Sequence, residues 1–134
     1  IESNEEYKAK NDIIKSIPGV GNVVAFNLLS EMPELGYINN KEAASLVGVA
    51  PFNRESGSYK GKRMIRGGRA QIRTAMYMAM MSAIQCNPKF KALYQRLVAS
   101  GKPKKVALIA CIRKLVIILN SMIRDGVMWD PKMI

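Results

Sequence analysis

Histidine is missing from this chain of 134 residues, and cysteine nearly so, with only two. Without imidazole there is no His-based zinc site, no Ser-His nucleophilic pair and no imidazole acid–base chemistry. Cys86 and Cys111 form no CxxC pair and sit in apolar surroundings of helical period. They read as reduced, buried packing residues of a cytoplasmic protein, bacterial or archaeal. Acids are scarce too: ten Asp and Glu face 21 Lys and Arg, for a net charge of +11 and a pI near 9.9. Such an excess points to a polyanionic partner. An amphipathic stretch pairing an aromatic and Leu face with a Lys face is also lacking, so a membrane surface is a poor fit. The one long apolar run, Val106 to Ile123, is broken by Arg113, Lys114 and Asn120 and reads as a core helix rather than a span. Neither an initiator Met nor a signal-peptide pattern opens the chain, which reads as a fragment of a longer protein.

Hydrophobic residues make up 49%, a globular composition for one domain, residues 1–134, with a genuine core. No internal repeat and no convincing strand alternation is visible, so the fold class is all-α: a compact helical domain. Its organising stretch is the basic Ser-Gly loop over 48–73. There Arg54, Lys60, Lys62, Arg63, Arg66, Arg69 and Arg73 face a single acid, Glu55. Ser56-Gly57-Ser58-Tyr59 lies in its middle, and Gly57, Gly61, Gly67 and Gly68 let the backbone turn and present N–H groups to an anion. Many donors with little to bury suit phosphate better than a plain solvated loop.

In chain order, residues 1–16 read as the tail of an upstream helix whose Ile13 and Ile14, with Ile17, are apolar. Residues 13–32 resemble a helix-hairpin-helix motif: the turn Ile17-Pro18-Gly19-Val20-Gly21, then a helix with Val24, Leu28 and Met32 at helical spacing. In that reading Gly19, Gly21 and the second helix's N-terminus face a phosphate. The plain alternative is a tight αα-hairpin whose glycines serve turn geometry. A short helix follows over 41–47 with Asn40 as its N-cap. The helical core over 68–124 starts with a helix burying Ile72, Met76, Ala79 or Met80, and Ala83, and stacking Arg69 and Arg73 on one face. Asn87-Pro88 opens the next helix, striped with Phe90, Leu93, Tyr94 and Leu97. Pro103 takes the first position of a long helix to about Arg124. Lys102, Lys104 and Lys105 cluster at that helix's N-terminus, against its dipole, which hints at phosphate contact. Trp129 packs back from the tail.

Phosphoryl transfer needs a nucleophile, charge neutralisation and usually a metal. On chemistry alone Ser56, Ser58 and Tyr59 all qualify as nucleophile. The ten carboxylates are scattered, so no metal site is expected in this stretch.

The order IPGVG, LVGVAP, SG, GKRMIRGGRAQIR resembles the C-terminal domain of insertion-sequence transposases of the one-ten, one-sixteen and nine-zero-two group, from about Ile14 to Ile123. Glu55 stands where family members often carry a first serine, and Arg66-Gly67-Gly68 where they carry Lys-Arg-Gly; the serine before the glycine, Ser56, is kept. The resemblance implies a site-specific DNA recombinase in which Ser56 attacks the phosphodiester. It also implies a RuvC-like N-terminal domain outside this chain, whose four carboxylates bind a divalent metal such as magnesium. A structured guide-like RNA and a homo-oligomer of the full-length protein are further partners it implies, with no membrane. A non-catalytic helix-hairpin-helix nucleic-acid-binding module is the rival reading, and a protein-assembly domain a third.

Overall fold

A computed structural model describes residues 4–47 and 69–134, with side chains over 5–44 and 72–134. The loop residues Arg54, Ser56, Ser58, Tyr59, Lys60, Lys62, Arg63 and Arg66 lie outside the described residues. Among the described residues six helices run in chain order. They are α1 (Asn4–Lys15), α2 (Asn22–Glu31), α3 (Asn40–Val47), α4 (Arg69–Cys86), α5 (Pro88–Ala99) and α6 (Lys104–Asp125), and a 3-10 turn follows at Pro131–Met133. No strand occurs among the described residues, so the expected all-α class holds.

The longest helix, α6, is the core. Ala107, Cys111, Ile112, Leu115, Val116, Ile118, Leu119 and Met122 along it are all buried. Helices α1, α3, α4 and α5 pack against it, and α2 packs on α1 and α4. By length and composition α6 could cross a membrane, but half of its apolar stretch is buried inside the fold, and the polar Asn120 is buried with it. Helix α4 buries Ile72, Ala75, Met76, Ala79, Met80 and Ala83, the expected face widened by Ala75. Helix α2 places Ala25 and Leu28 inside, as does Met32 at its C-cap, with Val24 only partly covered. The stripe on α5 has Phe90 fully buried, with Leu93, Tyr94 and Leu97 packed at the edge of the core.

Three local expectations shift. The cap of α3 is Asn39, not Asn40: Asn39 Oδ1 accepts from Glu42 N at 2.8 Å and Glu42 Oε1 accepts from Asn39 N at 3.0 Å. This is a reciprocal capping box. Asn40 is drawn instead to Asn120, whose Nδ2 donates to Asn40 Oδ1 at 3.1 Å. Pro103 precedes α6 as its N-cap, its carbonyl accepting from Ala107 N at 3.0 Å. Of the cysteines, Cys111 is buried but Cys86 is exposed at the end of α4.

Asn120 fastens the loop before α3. Its Oδ1 accepts from Gly36 N at 2.6 Å, and its Nδ2 donates to Ile38 O at 2.8 Å as well as to Asn40. Gly36 takes φ +96, and a Cβ there would meet Ile123 Cγ2 at 2.7 Å, so only glycine lets the loop lie this close to α6. The start of α3, and through it the chain entering the basic loop, is thus fixed to the core helix.

Candidate nucleic-acid interface

Charge is distributed very unevenly along this framework. Residues 1–47 carry four bases and seven acids, a net −3; residues 48–72 carry six bases and one acid, a net +5; residues 73–134 carry eleven bases and two acids, a net +9. From Ser56 to Arg124 there are fifteen Lys and Arg and no acid at all. A surface without internal counter-charges attracts counterions, and a polyanion gains affinity by releasing them.

The described part of that run is the α4–α5–α6 unit. Arg73 is half-buried on the first turns of α4; the backbone of Arg69 opens the same helix. Lys89, Lys91 and Arg96 are exposed on α5. Lys89 and Arg96 are seven residues apart, hence on one face, and flank a shallow hollow of about 190 Å³ over Ala92 and Leu93. Lys102, Lys104 and Lys105 are exposed where α5 turns into α6, and the first turn of α6 has neither an acid nor a side-chain cap. The lysines raise the positive potential of that helix end. Lys89, Lys91 and Arg96 had no motif to announce them. The signal that finds them is the acid-free run itself, since no single short window shows it.

The Arg124 guanidinium is neutralised locally. Its Nε and Nη2 donate to the two Asp125 carboxylate oxygens at 3.0 and 3.1 Å. The hydrogen bonds hold the Asp125 carboxyl below, and the guanidinium above, their ordinary values. A cleft of about 280 Å³ beside this pair is lined by Lys114, Ile117, Ile118, Asp125 and Met133 among others. With one cation, one carboxylate and mainly apolar walls, it lacks the charge of a phosphate site.

The turn between α1 and α2 is docked mainly on the protein itself. Pro18 O accepts from buried Asn87 Nδ2 at 3.3 Å, and Ser16 Oγ accepts from Trp129 N at 2.8 Å. Gly19 takes φ +98, and a Cβ there would come 2.7 Å from Ala83 Cα. Glycine at 19 is therefore required by chain conformation and by close helix contact, whatever else it does. Gly21 differs: it is exposed, its Cβ position meets nothing within 4 Å, and it caps α2 without a side-chain hydrogen bond. The first backbone N–H groups of α2 are the part of this turn available to an anion. Trp129 stacks on Phe90 with ring centroids 6.1 Å apart, so the tail folds back as expected.

Among the described residues no three His, Cys, Asp or Glu side chains gather within reach of one metal ion. The chemistry available there is that of cations and open backbone donors.

The described residues are helical throughout, apart from turns, and the stretch from Ser56 to Arg124 is rich in cations and holds no acid. A model of the Transposase IS116/IS110/IS902 family matches residues 11–95, well over half of the chain, and the chain belongs to that family. It is 31% identical over 123 residues to the 43.6 kDa protein of insertion element IS110 from Streptomyces coelicolor, a match covering 90% of this chain and 30% of the relative. It is 29% identical over 136 residues to the pilin gene-inverting protein of Moraxella bovis, covering 98% and 42%. A third similar protein, the 42 kDa product of insertion element IS900 from Mycobacterium paratuberculosis, is 29% identical over 124 residues, covering 90% and 31%. The chain thus spans less than half the length of these relatives.

Proposed function

We propose that this chain is the DNA-contacting and nucleophile-bearing part of a cytoplasmic transposase, a site-specific DNA recombinase. The observation that carries the reading is the union of family membership with the run of fifteen cations and no acid from Ser56 to Arg124. The likeness to a pilin gene-inverting protein supports recombination of DNA as the activity of the longer protein.

In this reading the Ser56 oxygen attacks a backbone phosphorus. A bond from that oxygen to phosphorus forms as the bond to one deoxyribose oxygen breaks, and the displaced oxygen takes up a proton. The strand stays attached to the protein until a second strand's hydroxyl reverses the exchange. Arg54, Lys60, Lys62, Arg63, Arg66, Arg69 and Arg73 neutralise the charge that grows on the phosphate oxygens. Gly21, beside Gly19, offers backbone donors at the start of α2, while Lys102, Lys104 and Lys105, with Lys89 and Arg96, hold backbone further along. A divalent metal such as magnesium, held by carboxylates of an N-terminal RuvC-like domain, would supply activation of the serine hydroxyl. A structured RNA of the element and further copies of the full-length protein complete the assembly.

The test is a covalent trap. Full-length protein, with metal and RNA, is mixed with a nicked DNA substrate as wild type, Ser56→Ala, Ser58→Ala and Tyr59→Phe. The expected result is an adduct that Ser56→Ala alone abolishes while DNA affinity stays within about twofold. An adduct surviving in Ser56→Ala overturns the assignment in favour of Ser58 or Tyr59. DNA cleavage without an adduct in any variant favours the second reading, a non-catalytic helix-hairpin-helix module. The exposed, uncapped start of α2 at Gly21 gives that reading its support.

A further inference from the structure

The exposed side of α5 has a pattern that backbone contact alone does not use. Lys89, Ala92, Leu93 and Arg96 recur at helical spacing and share one face, with a cation at each end and two apolar residues between. Lys89, Ala92 and Arg96 are exposed, while Leu93 packs against the edge of the core. Together with Ile134 of the tail they line the hollow of about 190 Å³. Its floor is firm. Phe90, next to Lys89, is fully buried and stacks on Trp129, and Ile134 also packs on the core. The tail's one acid, Asp130, does not line the hollow and caps the turn at Pro131–Met133, accepting from Lys132 N at 2.9 Å.

We propose that this hollow holds one unpaired nucleotide of a nucleic-acid strand, its base flat on Ala92, Leu93 and Ile134 and its two flanking phosphates on Lys89 and Arg96. This rests on the nucleic-acid reading above and adds which form of nucleic acid the α5 face takes. Spacing, size and polarity select the ligand. Seven residues of helix set the two cations about 10 Å apart along the axis. That span suits the phosphates on either side of one nucleotide better than a single phosphate. The volume is below the roughly 300 Å³ at which pockets for drug-sized molecules begin. It takes one flat ring and excludes a base pair. A paired base has both faces covered by its neighbours in the stack and gains nothing from an apolar floor, whereas an unstacked base gains by covering a face. The lining side chains carry donors at the two ends and no polar atom on the floor, so the hollow holds a base without reading its edge. DNA and RNA share this chemistry.

The test is binding of the 134-residue chain to thymine or uracil strands of about ten nucleotides, a length one small domain can cover. Each carries one central 2-aminopurine, which brightens when it leaves the stack of its neighbours, and is offered as single-stranded DNA, single-stranded RNA and duplex DNA. The expected result is brightening with the single strands and none with the duplex. Ala92→Leu, which fills the hollow and leaves the charges alone, should abolish the brightening and lower the ratio of single-strand to duplex affinity about tenfold. Lys89→Ala with Arg96→Ala should make the single-strand log–log salt slope shallower by about 1.4. Circular dichroism of both variants should match the parent. No brightening in the parent, a ratio that Ala92→Leu leaves unchanged, or a slope that the double variant leaves unchanged overturns the site while the nucleic-acid reading stands. A chain that binds neither strand nor duplex overturns both. Tighter binding of the DNA or of the RNA strand, lost in Ala92→Leu, supports the site and names its source. A peptide with one leucine between two glutamates meets the same pattern of charge and apolar surface, so it serves as competitor. Its displacing the strand at equal concentration overturns the nucleotide in favour of a protein partner.

Discussion

Residues 1–47 and residues 69–124 pack on the same core yet answer different demands. The first region is net acidic, and its polar groups work within the fold. Glu42 and Asn39 cap α3 reciprocally, Gly36 donates to Asn120, and Ser16 bridges to the tail through Trp129 N. In the second region the cations on α5 and at the start of α6 stand exposed with no acid in their own sequence to offset them. Stability alone would favour mixed signs on such a surface, because like charges on neighbouring turns repel. The contrast teaches that polar residues of the first region are explained by structure, whereas the exposed cations of α5 and of the start of α6 have no acid in their own stretch of sequence to offset them.

The sharpest way to break the contrast is at Asn120, where the first region is tied to the core. Asn120→Leu leaves the buried Gly36 N–H and the partly buried Ile38 carbonyl without their partner. A loss of about 3 kcal/mol in denaturant-derived stability is expected, since each such group costs on the order of 1–3 kcal/mol. A change below about 0.5 kcal/mol would mean the loop is held by other means.

The two glycines of the first turn give a smaller, paired effect. Gly19→Ala meets both a positive φ and the backbone of Ala83, and should cost about 2 kcal/mol. Gly21→Ala has open space and an extended backbone, and should stay within about 1 kcal/mol. Equal losses at the two positions would remove the distinction between a docked and an open end of the turn.

For the second region the measurement is salt dependence. The triple variant Lys102→Ala, Lys104→Ala, Lys105→Ala should weaken DNA binding at all sequences and make the log–log salt slope shallower by about 2.7, if each lysine meets one phosphate. Lys8→Ala with Lys15→Ala, two bases of the acidic region, should leave the slope unchanged within about 0.5. Similar changes from both would dissolve the division of labour.

The smallest effect is at Cys111. Burial pushes its thiol up to about 11. The unfolded chain then releases this proton at lower pH than the folded chain, so stability is intact below about pH 8.5 and declines as pH rises towards 11. Cys111→Ala should flatten that alkaline decline. Exposed Cys86 should react with a thiol reagent in the native protein while Cys111 does so only on unfolding.

Helical class, the 3.6-residue stripes of α4 and α5 and the packed core helix were legible in the sequence, because burial repeats every turn and leaves a periodic trace. The basic composition of residues 48–73 is a property of the sequence itself; the expected role of Ser56 rests on the family resemblance alone, and Ser56 lies outside the described residues. The burial of Asn120 was not, since its partners Gly36, Ile38 and Asn40 lie about eighty residues away in the chain. Nor was the shift of the α3 cap to Asn39: either asparagine can cap a helix, and Asn120 claims the second. Cys86 misled because an apolar neighbourhood in sequence does not say which side of a helix end meets solvent.

By itself the sequence determined that this is a basic helical protein without imidazole chemistry, since those properties follow from which residues are present and from their local period. Only the tertiary structure decided that Gly19 is held against Ala83, that Asn120 secures the approach to α3, and that α2 lies against α4 with Phe26 and Met81 left in solvent. Each of these depends on which surfaces meet across long stretches of chain, and local periodicity carries no record of that.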